Sequence, residues 1–162
     1  MKELKEKPWW EYLEEDLQGL LIESQLLIDK VASWEEKFHD YSFIVFPSAK
    51  AYEGFLKKLF LDLGFITRDD YYGKHFRIGK ALNPQLEAHL RETESVYDRI
   101  VNFCGGKDLA DKLWETWKNS RNLLFHWFPE EKRAVSFEEA KERVKMILAA
   151  IDEAFKQCEI KT

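Results

Sequence analysis

The sequence predicts an all-α protein. Glycine and proline are scarce, apolar residues recur at helical rather than strand spacing, and the breakers fall between the apolar runs. Seven glycines and four prolines among 162 residues leave long stretches able to form uninterrupted helix. With 45% hydrophobic and 15% aromatic residues the chain can bury one sizeable core, and it is short for two. A single domain over residues 1–162 is therefore expected.

The first helix is expected to begin near Pro8, which suits a first-turn position, and to run past Leu13, Leu17, Leu21, Ile28 and Val31 to about Phe38. A second enters through Phe43 to Phe46, carries Pro47 early and ends at Leu63, with Gly64 in the C-cap role. Residues 65–83 read as short helical turns among basic and aromatic side chains. Asn83-Pro84 then marks a break before the segment bearing Leu86, Leu90, Val96, Tyr97, Ile100 and Val101. Gly105-Gly106 closes that segment. Lys107 opens a helix with Leu109, Leu113, Trp114, Trp117, Leu124, Phe125 and Phe128 at its apolar positions, halted by Pro129. Ser136-Phe-Glu-Glu139 is a capping box, in which hydroxyl and carboxylate each satisfy an orphan amide, and it starts a last helix through Val144, Ile147, Ile151 and Phe155. Four main helices with an irregular excursion between the second and third describe a bundle.

Charge and cysteine content narrow the function classes. A net charge of −5 argues against a protein that coats nucleic acid by bulk electrostatics. The second quarter of the chain is nonetheless basic, and Lys74, His75, Arg77 and Lys80 crowd together there; a solvated helix face is the commoner reading of such a run, and a phosphate contact the sharper one. Cys104 and Cys158 lack the close paired spacing of zinc sites or disulfide frameworks, so buried free thiols are expected. The longest apolar runs fall short of a membrane span or signal sequence, so a cytoplasmic protein with no membrane partner is expected.

The chemistry concentrates in Ser120-Arg-Asn-Leu-Leu-Phe-His-Trp-Phe128. Cleavage of RNA by its own 2′-hydroxyl needs an acid or base that works near neutral pH and a cation to hold phosphorane charge, which imidazole and guanidinium supply. On a regular helix Asn122 and His126 share a face, while Arg121 and His126 point about 140° apart, so the arginine must reach around or the helix must distort near Pro129. The alternative for His126, set among Phe125, Trp127 and Phe128, is a packed histidine with a satisfied ring. The segment resembles the R-x4-6-H motif of HEPN domains, helical bundles many of which are ribonucleases. The resemblance implies a HEPN-like bundle with Arg121, Asn122 and His126 as catalytic residues, and a homodimer in which two motifs line one cleft.

A narrower resemblance, covering roughly residues 41–155, is to the RNase LS type of toxin, whose HEPN-like domain adds an R-x-x-E element on an earlier helix. The matching stretch here is Lys50-Ala-Tyr-Glu53. Phe46, Ala49, Leu56 and Phe60 form a row at helical spacing and Glu53 falls inside it, so its carboxylate needs a partner. Arg121 is the natural one; an edge position in water or a pair with Lys57 are the alternatives. Gly54 beside it costs about 1 kcal/mol in a helix interior and suggests a close helix contact. Lys50 stands where that group has arginine, keeping charge and losing the bidentate fork. Phe128 stands where HEPN toxins paired with a nucleotidyltransferase carry tyrosine, which removes the hydroxyl such control would modify.

The resemblance thus implies a metal-independent endoribonuclease of toxin or defence type, leaving a 2′,3′-cyclic phosphate. Glu53 joins its catalytic set, Lys50 and Lys57 bind substrate, and an antitoxin protein is a possible partner. A non-catalytic helical module that binds a partner or nucleotide is the second reading, and an unrelated bundle with a buried His126 the third. His39, His75 and His89 have no acidic or thiol residues at ligand spacing, and no phosphate loop is present, so neither metal nor cofactor is expected. Trp9, Trp10 and Trp127 exceed what a small bundle easily hides, which places some of them at a subunit interface.

Overall fold

Ser42–Asp62, here α3, is apolar almost all the way round, and the two other long helices, Glu15–Val31 and Phe137–Gln157, pack on it. In the computed structural model, which describes residues 2–126, 129 and 134–158, Ile44, Val45, Ala51, Tyr52, Phe55, Leu56, Leu59 and Phe60 are buried. The Tyr52 hydroxyl donates to the Leu113 carbonyl at 3.1 Å, which satisfies the one polar atom on that buried ring. Before α3 come α1 (Lys2–Lys5) and α2 (Glu15–Val31). After it come four short helices, α4 (Arg68–Tyr72), α5 (Ile78–Ala81), α6 (Ala88–Glu94) and α7 (Val96–Phe103), and then α8 (Gly106–Trp117). A π-helical turn, Lys118–Asn122, continues α8, and α9 is Phe137–Gln157. The described residues contain helices and no strand.

Helix α2 lies along α3, and the two are in close contact at Gly54: a Cβ built there would stand 2.6 Å from the Leu17 side chain. The helix-breaking residue is thus what lets the two backbones approach. Pro47 sits inside α3 and is accommodated by Ser24 of α2. Its buried hydroxyl donates to the Ile44 carbonyl and accepts from the Ser48 amide, both at 2.9 Å, splicing a side chain into the ladder beside the proline. Gly64 follows the end of α3 with φ +69°, the left-handed C-cap its position implied. The Ser136 capping box forms with both hydrogen bonds present and starts α9.

Three expectations are corrected. The first helix does not run from Pro8 to Phe38. Residues 6–13 form turns, α2 begins at Glu15 and it stops at Val31, while Trp34 and Phe38 pack on each other and remain partly exposed. The turns persist because side chains hold them: Lys7 Nζ reaches Asp152 of α9 at 2.6 Å, and Trp9 Nε1 donates to the same carboxylate. Trp9 and Trp10 are accordingly core residues rather than interface residues. The third correction concerns the thiols. Cys104, after α7, and Cys158, after α9, form a disulfide, because packing of α7 and α9 on α8 brings their C-terminal ends together. A sequence separation of 54 residues hides that proximity.

Candidate active site

The site is built where α8 loses its regular winding. Leu109, Ala110, Leu113, Thr116 and Trp117 bury one face of α8, and at Lys118 the bonding pattern widens, with the Leu123 amide bonding the Lys118 carbonyl at 2.9 Å in a five-residue step. Two buried polar atoms have no hydrogen-bond partner among the described residues, Trp117 Nε1 just before this turn and Ser120 Oγ within it. Unsatisfied groups of that kind are uncommon in native structures and accumulate where a local arrangement is kept for function. The regular winding of α8 thus ends in a π turn at Lys118–Asn122. That turn includes Arg121, while the neighbours of Pro129 on both sides lie outside the described residues.

The turn places the Arg121 guanidinium over the Trp117 ring, 5.6 Å from its centroid, with Nε 3.3 Å from Glu53 Oε2 on α3. Both side chains are partly exposed, 41% and 34%. In that setting the pair adds little to stability. The alternative partner for Glu53, Lys57, forms no ion pair with it. A turn follows Asn122, and His126 lies past the helix end with its side chain exposed. A packed, buried histidine is not what the fold contains.

Phe46, Ala49, Lys50, Glu53, Arg121, Phe125 and His126 line one cleft of about 400 Å³. Phe46 and Phe125 meet edge to face at 5.5 Å on its wall, and both are exposed. Of the row that the sequence suggested on α3, Ala49, Leu56 and Phe60 are buried, while Phe46 is exposed and Glu53 part-exposed. Lys50 opens onto the same cleft and forms no ion pair among the described residues, so its ammonium is available to a ligand.

Two expected residues fall outside this cleft. Asn122 does not share a face with His126, because the helix has ended between them. It lines a neighbouring cavity with Arg77, Lys80, Trp114 and Trp117, to which Glu53 and Arg121 also contribute. Lys57, two turns along α3 from Lys50, lines a groove against Asp16 and Glu23 of α2, so acidic residues face it. Trp127 and Phe128 lie outside the described residues. Among the described residues no group of three or more histidine, cysteine or carboxylate side chains is placed to hold a metal ion, and no helix is long and apolar enough to cross a membrane.

The sequence missed Phe125 as a cleft wall and the approach of residues 76–80 to Arg121. The crowding of Lys74, His75, Arg77 and Lys80 was the available signal. Spacing could not place it, since α5 is a single turn with no periodicity to orient it. Comparison with family models, curated proteins and solved structures returned no match for the chain.

Proposed function

We propose that this chain is a metal-independent endoribonuclease of HEPN type, resembling the RNase LS toxins, that cuts RNA by attack of its 2′-hydroxyl on the adjacent phosphodiester. The observation that carries the reading is the Glu53–Arg121 ion pair at the rim of the cleft that His126 also lines. A guanidinium fixed by a carboxylate from another helix is oriented before substrate arrives, which is what stabilising a developing charge requires. In the proposed reaction His126 takes the 2′-hydroxyl proton as the oxygen bonds to phosphorus. Arg121, with Lys50 beside it, holds the charge of the phosphorane. The P–O5′ bond then breaks, and the leaving oxygen takes a proton from a second imidazole.

That second imidazole belongs, in this reading, to a second copy of the chain, whose motif completes the cleft. The exposed Phe46, Leu123 and Phe125 beside the site supply apolar surface for such an interface. An antitoxin protein that covers the same face completes the proposal. The test is the chemistry of the cut ends: in excess EDTA, single-stranded RNA should yield a 2′,3′-cyclic phosphate and a 5′-hydroxyl, with DNA of the same sequence intact. A 3′-hydroxyl product would exclude the mechanism.

A further inference from the structure

We propose that the cavity adjoining the Glu53–Arg121 pair on the α5 side is a nucleotide subsite, which takes one unpaired base and its phosphate from an RNA strand; this rests on the ribonuclease reading for the position of the cut. At about 290 Å³ the cavity stands at the small end for a ligand pocket, with room for one base rather than a larger molecule. One wall is aromatic. Trp114 and Trp117 lie nearly parallel, 13° between planes and 5.9 Å between centroids, and Trp114 is only half-buried. Beside the buried Trp117 the wall is continued by α5, which approaches so closely that a Cβ on Gly79 would stand 2.2 Å from the Trp117 ring, leaving the half-buried Trp114 as the accessible indole. A glycine is what allows this approach, and it carries Arg77 and Lys80 to the cavity's rim.

The two cations are not equivalent. Lys80 Nζ is held by Glu94 at 2.5 Å, whereas the exposed Arg77 side chain has no partner among the described residues. An uncommitted guanidinium beside stacked indoles, in a chain of net charge −5, matches a flat aromatic group that carries an anion. Asn122 adds an amide able both to donate and to accept at a base edge. A strand fits better than a free nucleotide because Glu53 and Arg121 line both this cavity and the cleft of His126, so neighbouring nucleotides of one chain would occupy both. A duplex is excluded because its bases are stacked and paired.

The test uses the full chain carrying His126→Ala, titrated with a short single-stranded RNA while tryptophan emission is read. Quenching should be saturable, absent with the same sequence as duplex, weakened about tenfold by adding Arg77→Ala and partly restored by Arg77→Lys. In the cleaving protein Arg77→Ala should lower kcat/KM about tenfold, with the loss in KM. Equal binding and equal KM for Arg77→Ala would overturn the subsite even if RNA is cut. Quenching that depends on Arg77 in a protein that cuts no RNA would sustain it as a binding site and defeat the ribonuclease reading. Equal affinity for a free nucleoside monophosphate would overturn the assignment to a strand.

Discussion

Arg121 Nε stands 3.3 Å from Glu53 Oε2, joining the π turn after α8 to the central helix at the edge of the cleft. An ion pair this exposed is worth at most about 1 kcal/mol, so its loss should barely register in stability. Glu53→Gln keeps the shape and removes the charge that orients the guanidinium. Single-turnover RNA cleavage should slow by about tenfold or more, while the melting temperature moves by less than about 4 °C. A variant that cuts at the parent's rate would show that Glu53 does not position Arg121.

The proposed mechanism, with its second imidazole from another copy, requires a twofold dimer with the segment from Arg121 to His126 near the axis. Light scattering at micromolar concentration should return twice the chain mass. Phe125→Asp, which places a charge on the exposed cleft wall, should give a folded monomer with little activity. A monomeric parent that cleaves RNA would contradict this assembly.

The Cys104–Cys158 bond closes a loop of 54 residues. Constraining the unfolded chain over that length corresponds to about 4 kcal/mol on a chain-entropy estimate, part of which native strain commonly removes. Thiol titration of the denatured, unreduced protein should find no free thiol, and reduction or Cys158→Ser should lower the urea midpoint. Two free thiols before reduction would contradict the pairing.

Acid should destabilise the fold. Hydrogen bonds from Arg91, at 2.9 and 2.5 Å, hold the Asp98 carboxyl below its ordinary value of 3.8; Lys107 with Tyr97 does the same for Asp111, and Thr67 for Asp70. A depressed folded-state pKa means that the unfolded chain binds protons first as pH falls. The stabilisation is therefore complete above the unfolded value and disappears as pH drops through the folded ones. Urea midpoints should be flat from pH 7 to 5 and fall below about pH 4, with a shallower fall in Asp98→Asn. An unchanged midpoint at pH 3 would contradict the assignment.

Much of the fold was legible because the cues were local. Apolar spacing in α3 and α9, Gly64 after α3 and the Ser136 capping box each act within a few residues of where they are read. What escaped depends on distant partners. Asp152 of α9 turns an expected start of helix at Pro8 into side-chain-held turns, and helix packing brings Cys104 to Cys158. In the candidate site, the Glu53–Arg121 pair could be anticipated from an acid stranded in an apolar row. The separation of Asn122 from His126 could not, because regular helical geometry carries no sign of a π turn at Lys118. The approach of α5 to Trp117 was equally hidden, since it depends on Gly79 packing against a ring on another helix.

The central claim is that His126 and Arg121 act on RNA rather than hold the fold, and the most direct measurement compares cleavage by the parent, His126→Ala and Arg121→Ala in EDTA, with melting temperature recorded for each. The parent should cut single-stranded RNA. Removing the imidazole should slow the reaction by about 10² to 10⁴-fold, and removing the guanidinium by a similar factor. Both side chains are at least partly exposed, so melting should change little. Intact RNA with the parent protein, or cleavage by His126→Ala at the parent's rate, would contradict the account.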